Sequence, residues 1–368
     1  MERLSVCHVV NALGDTSMPG DLATTQASLD SFGRVGVLSW FDIDTFQGID
    51  SIETVCLDVP DTFRITSEQY ATVKSVFEGY DLIHTHHPHS GFYAKLIATR
   101  LGKPIIHTEH NNHDGFTRKG RAANGLTNPL VDSVACVSES VRESLFRWER
   151  TLLADSKVSV INNGVNLDRL EAATNREWSI YDATEIGSSA IVVGSAGMLT
   201  EQKAHDVLID GVGRANNRSD RPIELVISGD GELREQLTAQ IERTGHSDRL
   251  HLLGFLDERE QVYKMMDEID IYAMPSRWEG FCVAALEGLA LGNACLFSEI
   301  PEFTEPFGQV AQFHDLNDPE DVADNLVTLV EDEQLRMELG KSAERLIRDQ
   351  YTLEQTTRHY LEAYTELL

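Results

Sequence analysis

The stretch that decides the fold runs from residue 275 to residue 290 and reads PSRWEGFCVAALEGLA. It follows the apolar run Ile269–Ala273, which predicts a buried strand. From residue 283 onward Val, Ala and Leu dominate, which predicts an apolar helix that is itself buried. A buried strand that turns directly into a buried helix is typical of parallel α/β architecture.

The same alternation extends over the whole chain and predicts about eleven strands, too many for a single sheet of this kind. The other predicted strands are Ser5–Val10, Val35–Trp40, Asp81–Thr85, Pro104–Thr108, Ser133–Val137, Val158–Ile161, Ile191–Gly194, Glu224–Ser228, Leu250–Leu253 and Ala294–Phe297. Predicted helices include Gly91–Arg100, Ser138–Leu153, Glu232–Thr244, Asp318–Val330 and Thr352–Leu368. We therefore predict two doubly wound domains, residues 1–170 and 171–350, with residues 351–368 forming a helix that returns to the first domain.

The chain has 368 residues and a formal net charge of -29, which argues against nucleic acid as a partner. Such an acidic excess keeps a protein soluble by self-repulsion and is common in halophiles. A salt-adapted source and an ordinary acidic cytoplasmic protein both fit this composition.

The five cysteines are scattered and never spaced as CxxC, so neither a disulfide framework nor a zinc site is expected, and a reducing cytoplasm fits. The sequence shows no apolar run long enough to span a membrane and no secretory signal at its start. It also lacks a full GxGxxG after its predicted strands and a GxxxxGK[ST] loop, which excludes the usual dinucleotide and P-loop fingerprints.

Two carboxylates, Glu279 and Glu287, stand eight positions apart at the start of the apolar helix. Helical periodicity alone would rotate them apart by about 80°. They converge on one ligand only if Glu279 lies on the preceding loop, where free backbone amides of Gly280 to Val283 attract a diphosphate. Two solvated carboxylates beside a helix dipole are the ordinary alternative, and the spacing alone does not decide between them.

In context, the segment from Glu279 to Glu287 resembles the E-x7-E motif of retaining GT-B glycosyltransferases, specifically glycosyltransferase family 4. Other stretches are similar to family motifs in the same order: residues 161–166 (INNGVN), 197–204 (GMLTEQKA), 229–233 (GDGEL) and 253–256 (LGFL). The resemblance implies two Rossmann-like domains that face each other across a cleft. It also implies sugar transfer from a nucleotide-diphosphate sugar to a glycan or lipid-linked acceptor, with retention of configuration and with neither metal nor cofactor.

The same resemblance assigns roles by position. Lys203 pairs with the donor diphosphate, Glu287 holds the ribose and Glu279 holds the transferred sugar. His110, at the end of a strand, contacts the donor sugar from the other domain. The remaining predicted binding residues supply backbone to the donor or acceptor: Gly20, Gly254, Phe255, Leu256, Gly280, Phe281, Cys282 and Val283.

One departure from the family stands at residue 198, where Met replaces the usual Arg. A diphosphate normally held by two cations then faces only Lys203. Either another arginine such as Arg277 takes over, or activity is weak. Two alternatives to transfer therefore stay open: a nucleotide-sugar epimerase of the same fold, and a non-catalytic subunit that binds nucleotide-sugar.

Other features of the first half carry less specific signals. Seven histidines cluster between His84 and His113, but adjacent ones should point to opposite strand faces, so we do not predict a metal site. Asp42 and Asp44 match the DxD of metal-dependent transferases without its context. Two basic groups stand out on an acidic chain and predict peripheral membrane contact, with an ordinary solvated face as the alternative: Arg118, Lys119 and Arg121, then Arg142, Arg147 and Arg150 with Phe146 and Trp148.

Overall fold

The computed structural model describes residues 3–14, 17–43, 52–60, 64–113, 116–184, 186–187 and 189–368. The chain divides into two compact units. Unit 1 comprises residues 1–164 and 353–368, and unit 2 comprises residues 165–352. The terminal helix therefore belongs to unit 1, although the whole of unit 2 precedes it in the chain.

Unit 1 is built on a parallel sheet of seven described strands in the order β3-β2-β1-β4-β5-β6-β7. The strands are β1 Leu4–Leu13, β2 Phe32–Ile43, β3 Ile52–Cys56, β4 Leu82–Thr85, β5 Ile105–Glu109, β6 Ser133–Cys136 and β7 Val158–Val160. The helices are α1 Met18–Ser28, α2 Ser67–Glu78, α3 Pro88–Leu101, α4 Arg118–Thr127, α5 Glu139–Ser144 and α6 Arg147–Leu152. The terminal helix, α16 Leu353–Thr365, buries Tyr360 and Tyr364 in the core of this unit.

Unit 2 is built on a second parallel sheet of six described strands, in the order β10-β9-β8-β11-β12-β13. The strands are β8 Ile191–Ala196, β9 Ile223–Ser228, β10 Leu250–Gly254, β11 Ile271–Met274, β12 Ala294–Ser298 and β13 Gln312–His314. The helices are α7 Leu167–Ala173, α8 Ile180–Ala183, α9 His205–Asn216, α10 Arg234–Thr244, α11 Arg259–Asp267, α12 Val283–Ala290, α13 Pro301–Phe307, α14 Pro319–Glu331 and α15 Glu333–Gln350. Two parallel sheets with interleaved helices confirm the predicted α/β class.

The central strands are buried on both faces, which explains why their sequences are apolar without alternation. Every residue of β8, β9, β11 and β12 is buried. Burial on both faces leaves the loops at the carboxyl ends of these strands as the places where polar side chains can gather.

Three sequence-based expectations about elements were wrong. The predicted helix over residues 138–153 is two short helices, α5 and α6, because the backbone at Leu145 leaves the helical region (φ -58°, ψ 137°) and its side chain is buried. Strands β3 and β13 were not predicted. Each lies at an edge of its own sheet, and their short sequences are half polar, so they lack the apolar signature of the central strands.

Two glycine-bearing loops touch at the carboxyl ends of β8 and β9. Gly229 has φ +138°, and a Cβ built on it would lie 1.9 Å from the carbonyl oxygen of Gly197. Residues 197–204 and 229–233 are also joined by backbone hydrogen bonds, from Leu199 N to Asp230 O and from Leu233 N to Leu199 O, both 3.0 Å. This close approach fixes the loop that carries Lys203.

We expect Gly229→Ala to lower the free energy of unfolding by about 2 kcal/mol or more, because it combines a backbone clash with a disfavoured φ. Equilibrium urea denaturation measures the change. Gly187→Ala is the matched control, because Gly187 is exposed and a Cβ there meets nothing within 4 Å. Equal stability of the two variants would contradict the steric argument.

Candidate active site

The crevice of unit 2 lies where the strand order reverses, between β8 and β11. The chain leaves β8 toward β9 on one side and leaves β11 toward β12 on the other, so the two loops diverge and open a gap. Lys203 lies on the loop after β8, and Glu279 lies on the loop after β11. Their side chains meet there, with Lys203 Nζ 2.7 Å from Glu279 Oε1.

Glu279 lies ahead of α12, on the loop, and its side chain is 7% exposed. Gln202 supports the same loop, since its Nε2 donates to the Trp278 carbonyl oxygen at 3.0 Å and to Glu279 Oε2 at 3.4 Å. The carboxylate is thus held from the β8 side by two successive residues, Gln202 and Lys203.

The charge state of Lys203 follows from its neighbours. Burial by itself favours the neutral amine, but the charge and the hydrogen bond of the Glu279 carboxylate raise the pKa of Lys203 above its ordinary value. Burial raises the pKa of the Cys282 thiol to about 12, with the Glu279 charge contributing in the same direction. At neutral pH Lys203 is therefore an ammonium and Cys282 is a neutral thiol.

Glu287 lies in the second turn of α12 and is fixed from α11. Arg259 Nη2 donates to Glu287 Oε1 at 2.7 Å, and Tyr263 OH donates to the same oxygen at 2.8 Å. Arg259 also packs over the Tyr263 ring, with its Cζ 5.3 Å from the ring centroid. Sequence reasoning missed both partners, although their i, i+4 spacing places them on one helix face.

The predicted backbone contacts occupy two places in unit 2. Gly280, Phe281 and Cys282 form the turn before α12, whose N-cap, Cys282, makes no side-chain capping hydrogen bond. The Phe281 ring packs against Phe307 and Tyr351, so the side chain of this residue serves packing.

Gly254 ends β10 with φ +81°, its carbonyl accepts from Gly229 N at 2.8 Å, and Phe255 beyond it is 68% exposed. Leu256 follows and is half-buried.

The cation that Met198 fails to supply is not replaced by Arg277. Arg277 Nη2 pairs with Asp206 Oδ2 at 2.9 Å, Nη1 donates to the Glu201 carbonyl and Nε donates to Asn317 Oδ1 at 2.7 Å. Its guanidinium is thereby committed to bracing the Lys203 loop. Met198 itself is 66% exposed.

In unit 1, His110 follows β5 and ends a run of buried histidine rings. His110 Nε2 lies 3.0 Å from His86 Nδ1, and His86 Nε2 lies 2.9 Å from His8 Nδ1. His8, His84 and His86 are close enough to share a metal ion, but every one of their ring nitrogens already has a hydrogen-bond partner.

Beside these rings lies a buried cluster of charged and polar side chains, called the nest below, which the sequence did not reveal. Glu109 and Glu149 flank His113, with His113 Nε2 3.4 Å from Glu109 Oε1 and His113 Nδ1 3.7 Å from Glu149 Oε2. Asn128 Nδ2 bridges the two carboxylates, and the buried Lys95 donates to Asn128 Oδ1 at 2.6 Å. Burial lowers the pKa of Lys95 to about 7, against the opposing attraction of both glutamates.

Two predicted features of unit 1 remain, Gly20 and the DxD match. Gly20 is placed differently from expectation, and part of the DxD match lies outside the described residues. Gly20 is not on a loop but in the first turn of α1, where its N–H donates to the Ser17 side chain at 3.2 Å. That amide is therefore used for helix capping. Asp42 lies near the end of β2, while Asp44 of the DxD match falls outside the described residues.

Comparison with known proteins places this geometry in a family. The model of the "Glycosyl transferases group 1" family matches residues 178–346, and that of "Glycosyltransferase Family 4" matches residues 47–169. Together the two matches support a glycosyltransferase of the GT4/GT-B type. The group 1 match contains Lys203, Glu279 and Glu287, and the family 4 match contains His110, whereas Gly20 lies outside both.

The individual relatives of this chain are distant in sequence. The Escherichia coli O-antigen biosynthesis glycosyltransferase WclY is 27% identical over 58% of this chain and 57% of its own length. An E. coli UDP-Gal:alpha-D-GlcNAc-diphosphoundecaprenol alpha-1,3-galactosyltransferase is 26% identical over 61% of this chain and 59% of its own. The chain thus spans less than two thirds of these relatives.

Solved structures agree on the GT-B fold. The crystal structure of Anabaena HepE in complex with UDP and glucose superposes with a TM-score of 0.80 at 18% identity, covering 99% of this chain and 100% of HepE. Sucrose-phosphate synthase from Thermosynechococcus elongatus superposes with a TM-score of 0.75 at 15% identity and 99% coverage of both chains.

The nest around His113 predicts a specific dependence of stability on pH. Burial disfavours the imidazolium, but the hydrogen bond and charge of Glu109, with the charge of Glu149, raise the pKa of His113 above its ordinary value. The stability that a charged His113 contributes is therefore fully present below the pKa of histidine in the unfolded state, about 6.5. It is lost as the pH rises through the higher pKa that His113 has in the folded state. We expect His113→Asn to cost about 3 kcal/mol at pH 6 and less at pH 8.

Urea denaturation at pH 6, 7 and 8 measures this difference from the wild type. The wild-type reference cancels the contributions of the other buried histidines, whose lowered pKa values act in the opposite direction. His359→Asn is the control, because His359 is exposed on α16 of the same unit. A cost for His113→Asn that grows with pH would contradict the imidazolium assignment.

Proposed function

We propose that this chain is a retaining glycosyltransferase that moves a sugar from a nucleotide-diphosphate sugar to a glycan or lipid-linked acceptor. The observation that carries the proposal is the crevice of unit 2, where a half-buried ammonium and a buried carboxylate meet beside the start of α12. An isolated buried ion pair offers little net stability, so its retention at a strand-order reversal fits a ligand site.

Each side chain of the crevice has chemistry that suits one part of such a donor. The Lys203 ammonium has three donors, of which one goes to Glu279 and one to the Cys282 sulfur, so one remains for a diphosphate. Glu279 accepts hydrogen bonds from hydroxyls of the transferred sugar. Glu287 presents a carboxylate oxygen to the ribose while Arg259 and Tyr263 hold the other oxygen.

In the proposed reaction the bond between the anomeric carbon and the diphosphate oxygen breaks, and negative charge develops on the leaving nucleotide. Lys203 and the amides at the start of α12 stabilise that charge. The acceptor hydroxyl attacks from the same face and passes its proton to the leaving phosphate, so that configuration is retained. Because these donors need no divalent ion, we propose that transfer persists in EDTA.

The names of the relatives suggest where to look for substrates. HepE was crystallised with UDP and glucose, and one E. coli relative acts on a GlcNAc-diphosphoundecaprenol acceptor. We propose UDP-sugars as the first donors to test and polyprenyl-diphosphate glycans as the first acceptors. The donor is identified by a thermal-shift screen of nucleotide-sugars, followed by transfer assays with NMR of the product anomer.

Peripheral membrane contact is part of this proposal, because a lipid-linked acceptor lies at a membrane surface. Trp148, 46% exposed, stacks on Phe146 and covers Gly125, and Leu126 and Leu152 are more exposed still. Arg147 and Arg150 accompany them on α6. Among the described residues, no helix combines the length and apolar character that crossing a bilayer requires.

The two alternative functions differ from transfer in what they consume. An epimerase would convert the donor with no acceptor present, and a non-catalytic subunit would bind nucleotide-sugar without converting it. Release of free nucleotide that depends on the acceptor would exclude both.

We expect Glu279→Gln to lower kcat at least about 100-fold, because the neutral amide loses the charged acceptor for the sugar and no longer balances Lys203. Steady-state kinetics with the identified donor measure the loss. Glu224→Gln is the matched control, since Glu224 is also a buried carboxylate of unit 2 but pairs with His251 at 3.0 Å, on β9 and β10. Undiminished transfer by Glu279→Gln would refute the assignment.

We expect Met198→Arg to raise kcat/KM for the donor about tenfold, because it adds a second cation at an exposed position on the Lys203 loop. Met337→Arg adds the same charge to an equally exposed site on α15 and serves as the control. The diphosphate does not bind beside this loop if both variants, or neither, change the kinetics.

A further inference from the structure

A continuous chain of hydrogen bonds crosses unit 1 from Gln26 on α1 to His110. Gln26 Oε1 lies 2.8 Å from His8 Nε2, and His8 Nδ1 lies 2.9 Å from His86 Nε2. His86 Nδ1 then lies 3.0 Å from His110 Nε2. His8 and His86 are buried, whereas His110 is only partly buried, so the chain runs from the interior of the unit to an accessible ring.

The three rings are neutral around pH 7. Burial lowers the pKa of His8 to about 4 and that of His110 to about 3, and it holds the pKa of His86 well below its ordinary value. A neutral imidazole carries one proton on one of its two nitrogens. Each ring in the chain therefore has one donor nitrogen and one acceptor nitrogen.

Because each ring has one proton to place, the three rings have only two possible arrangements of their protons. Each contact between two ring nitrogens needs one proton between them, so the tautomer of the first ring fixes the tautomer of every ring after it. When Gln26 presents its carbonyl oxygen, His8 is protonated on Nε2, then His86 on Nε2 and His110 on Nε2. If the Gln26 amide presented its NH₂ group instead, His110 would carry its proton on Nδ1.

The nitrogen of the Gln26 side-chain amide also has a hydrogen-bond partner. Gln26 Nε2 donates to Tyr364 OH at 3.2 Å, which leaves the Tyr364 proton to bond His84 Nδ1 at 2.7 Å. His84 Nε2 then donates to Thr108 Oγ1 at 2.7 Å, which reaches Tyr360 OH at 2.9 Å. Two hydrogen-bonded branches thus share one amide, and reversing that amide would require every proton in both branches to move.

We propose that Gln26, His8 and His86 are positioning residues that hold His110 as the Nε2–H tautomer, leaving its Nδ1 as an acceptor for a sugar hydroxyl. Among the described residues, no hydrogen bond reaches His110 Nδ1. That a sugar supplies the hydroxyl rests on the proposed function, while the tautomer itself follows from the hydrogen-bond chain alone. His110 then binds substrate as a neutral acceptor and transfers no proton.

Long-range ¹H–¹⁵N NMR of the full chain with ¹⁵N-labelled histidine tests the tautomer directly, with the His110 signals assigned by their loss in His110→Asn. We expect His110 of the wild type to be protonated on Nε2. In Gln26→Met, which removes the acceptor that orders the chain, we expect a mixture of both tautomers. Gln69→Met is the matched control, because Gln69 makes two hydrogen bonds on α2 of the same unit, away from the chain.

Either of two results overturns the proposal: a wild-type His110 protonated on Nδ1, or a His110 tautomer that Gln26→Met leaves unchanged. The first measurement needs no variant, so it stands even if Gln26→Met does not fold. Neither needs turnover, so failure to transfer any sugar would count against the proposed function alone.

Kinetics with the identified donor give a second, independent readout. An Asn side chain places its amide near the Nδ1 position of histidine and can keep an acceptor there, whereas Gln places its amide near Nε2. We expect His110→Asn to retain a kcat/KM about tenfold higher than His110→Gln, as one hydrogen bond of ordinary strength to a substrate implies. The reverse order would contradict the acceptor role of Nδ1.

Discussion

The ion pair between Lys203 and Glu279 depends on the order of strands in the second sheet. Because β8 and β11 are neighbours whose connections leave in opposite directions, the loops after them separate and expose the carboxyl ends of both strands. Lys203 and Glu279 are 76 residues apart in sequence, yet their charged atoms are 2.7 Å apart. The contact of Gly229 with Gly197 fixes one side of this gap, and α12 fixes the other.

Unit 1 satisfies its buried polar groups in two different ways. His8 on β1, His86 after β4 and His110 after β5 are neutral and hydrogen-bond to one another, because burial penalises charge where no counter-charge is near. The neighbouring nest does the opposite, and places an imidazolium between two carboxylates. Both arrangements satisfy the rule that buried polar groups need partners, one through shared protons and one through opposite charges.

Two arginines beside the crevice of unit 2 already pair with carboxylates. Arg259 is committed to Glu287 and Arg277 to Asp206, so each positions a loop or a carboxylate. On a chain with a net charge of -29, this leaves Lys203 as the ammonium that meets Glu279. In the proposed mechanism, the amides of the Gly280–Val283 turn at the start of α12 therefore bind a larger share of the donor's negative charge.

The sequence by itself determined the α/β class, because strands buried on both faces must be continuously apolar and must alternate with helices. It also placed Glu279 ahead of an apolar helix, since the turn residues Glu279 and Gly280 interrupt two apolar runs. It could not find the edge strands β3 and β13 or the break at Leu145, because these depend on what packs against short, half-polar segments.

Only the tertiary structure decided which polar side chains meet. Arg259 and Tyr263 on Glu287, the nest of Glu109 and Glu149 around His113, and the chain from Gln26 to His110 all join residues from different elements. A local pattern records the face of a helix or strand on which a residue lies. It does not record which element covers that face, and the partners, charges and tautomers of buried groups are set by that neighbour.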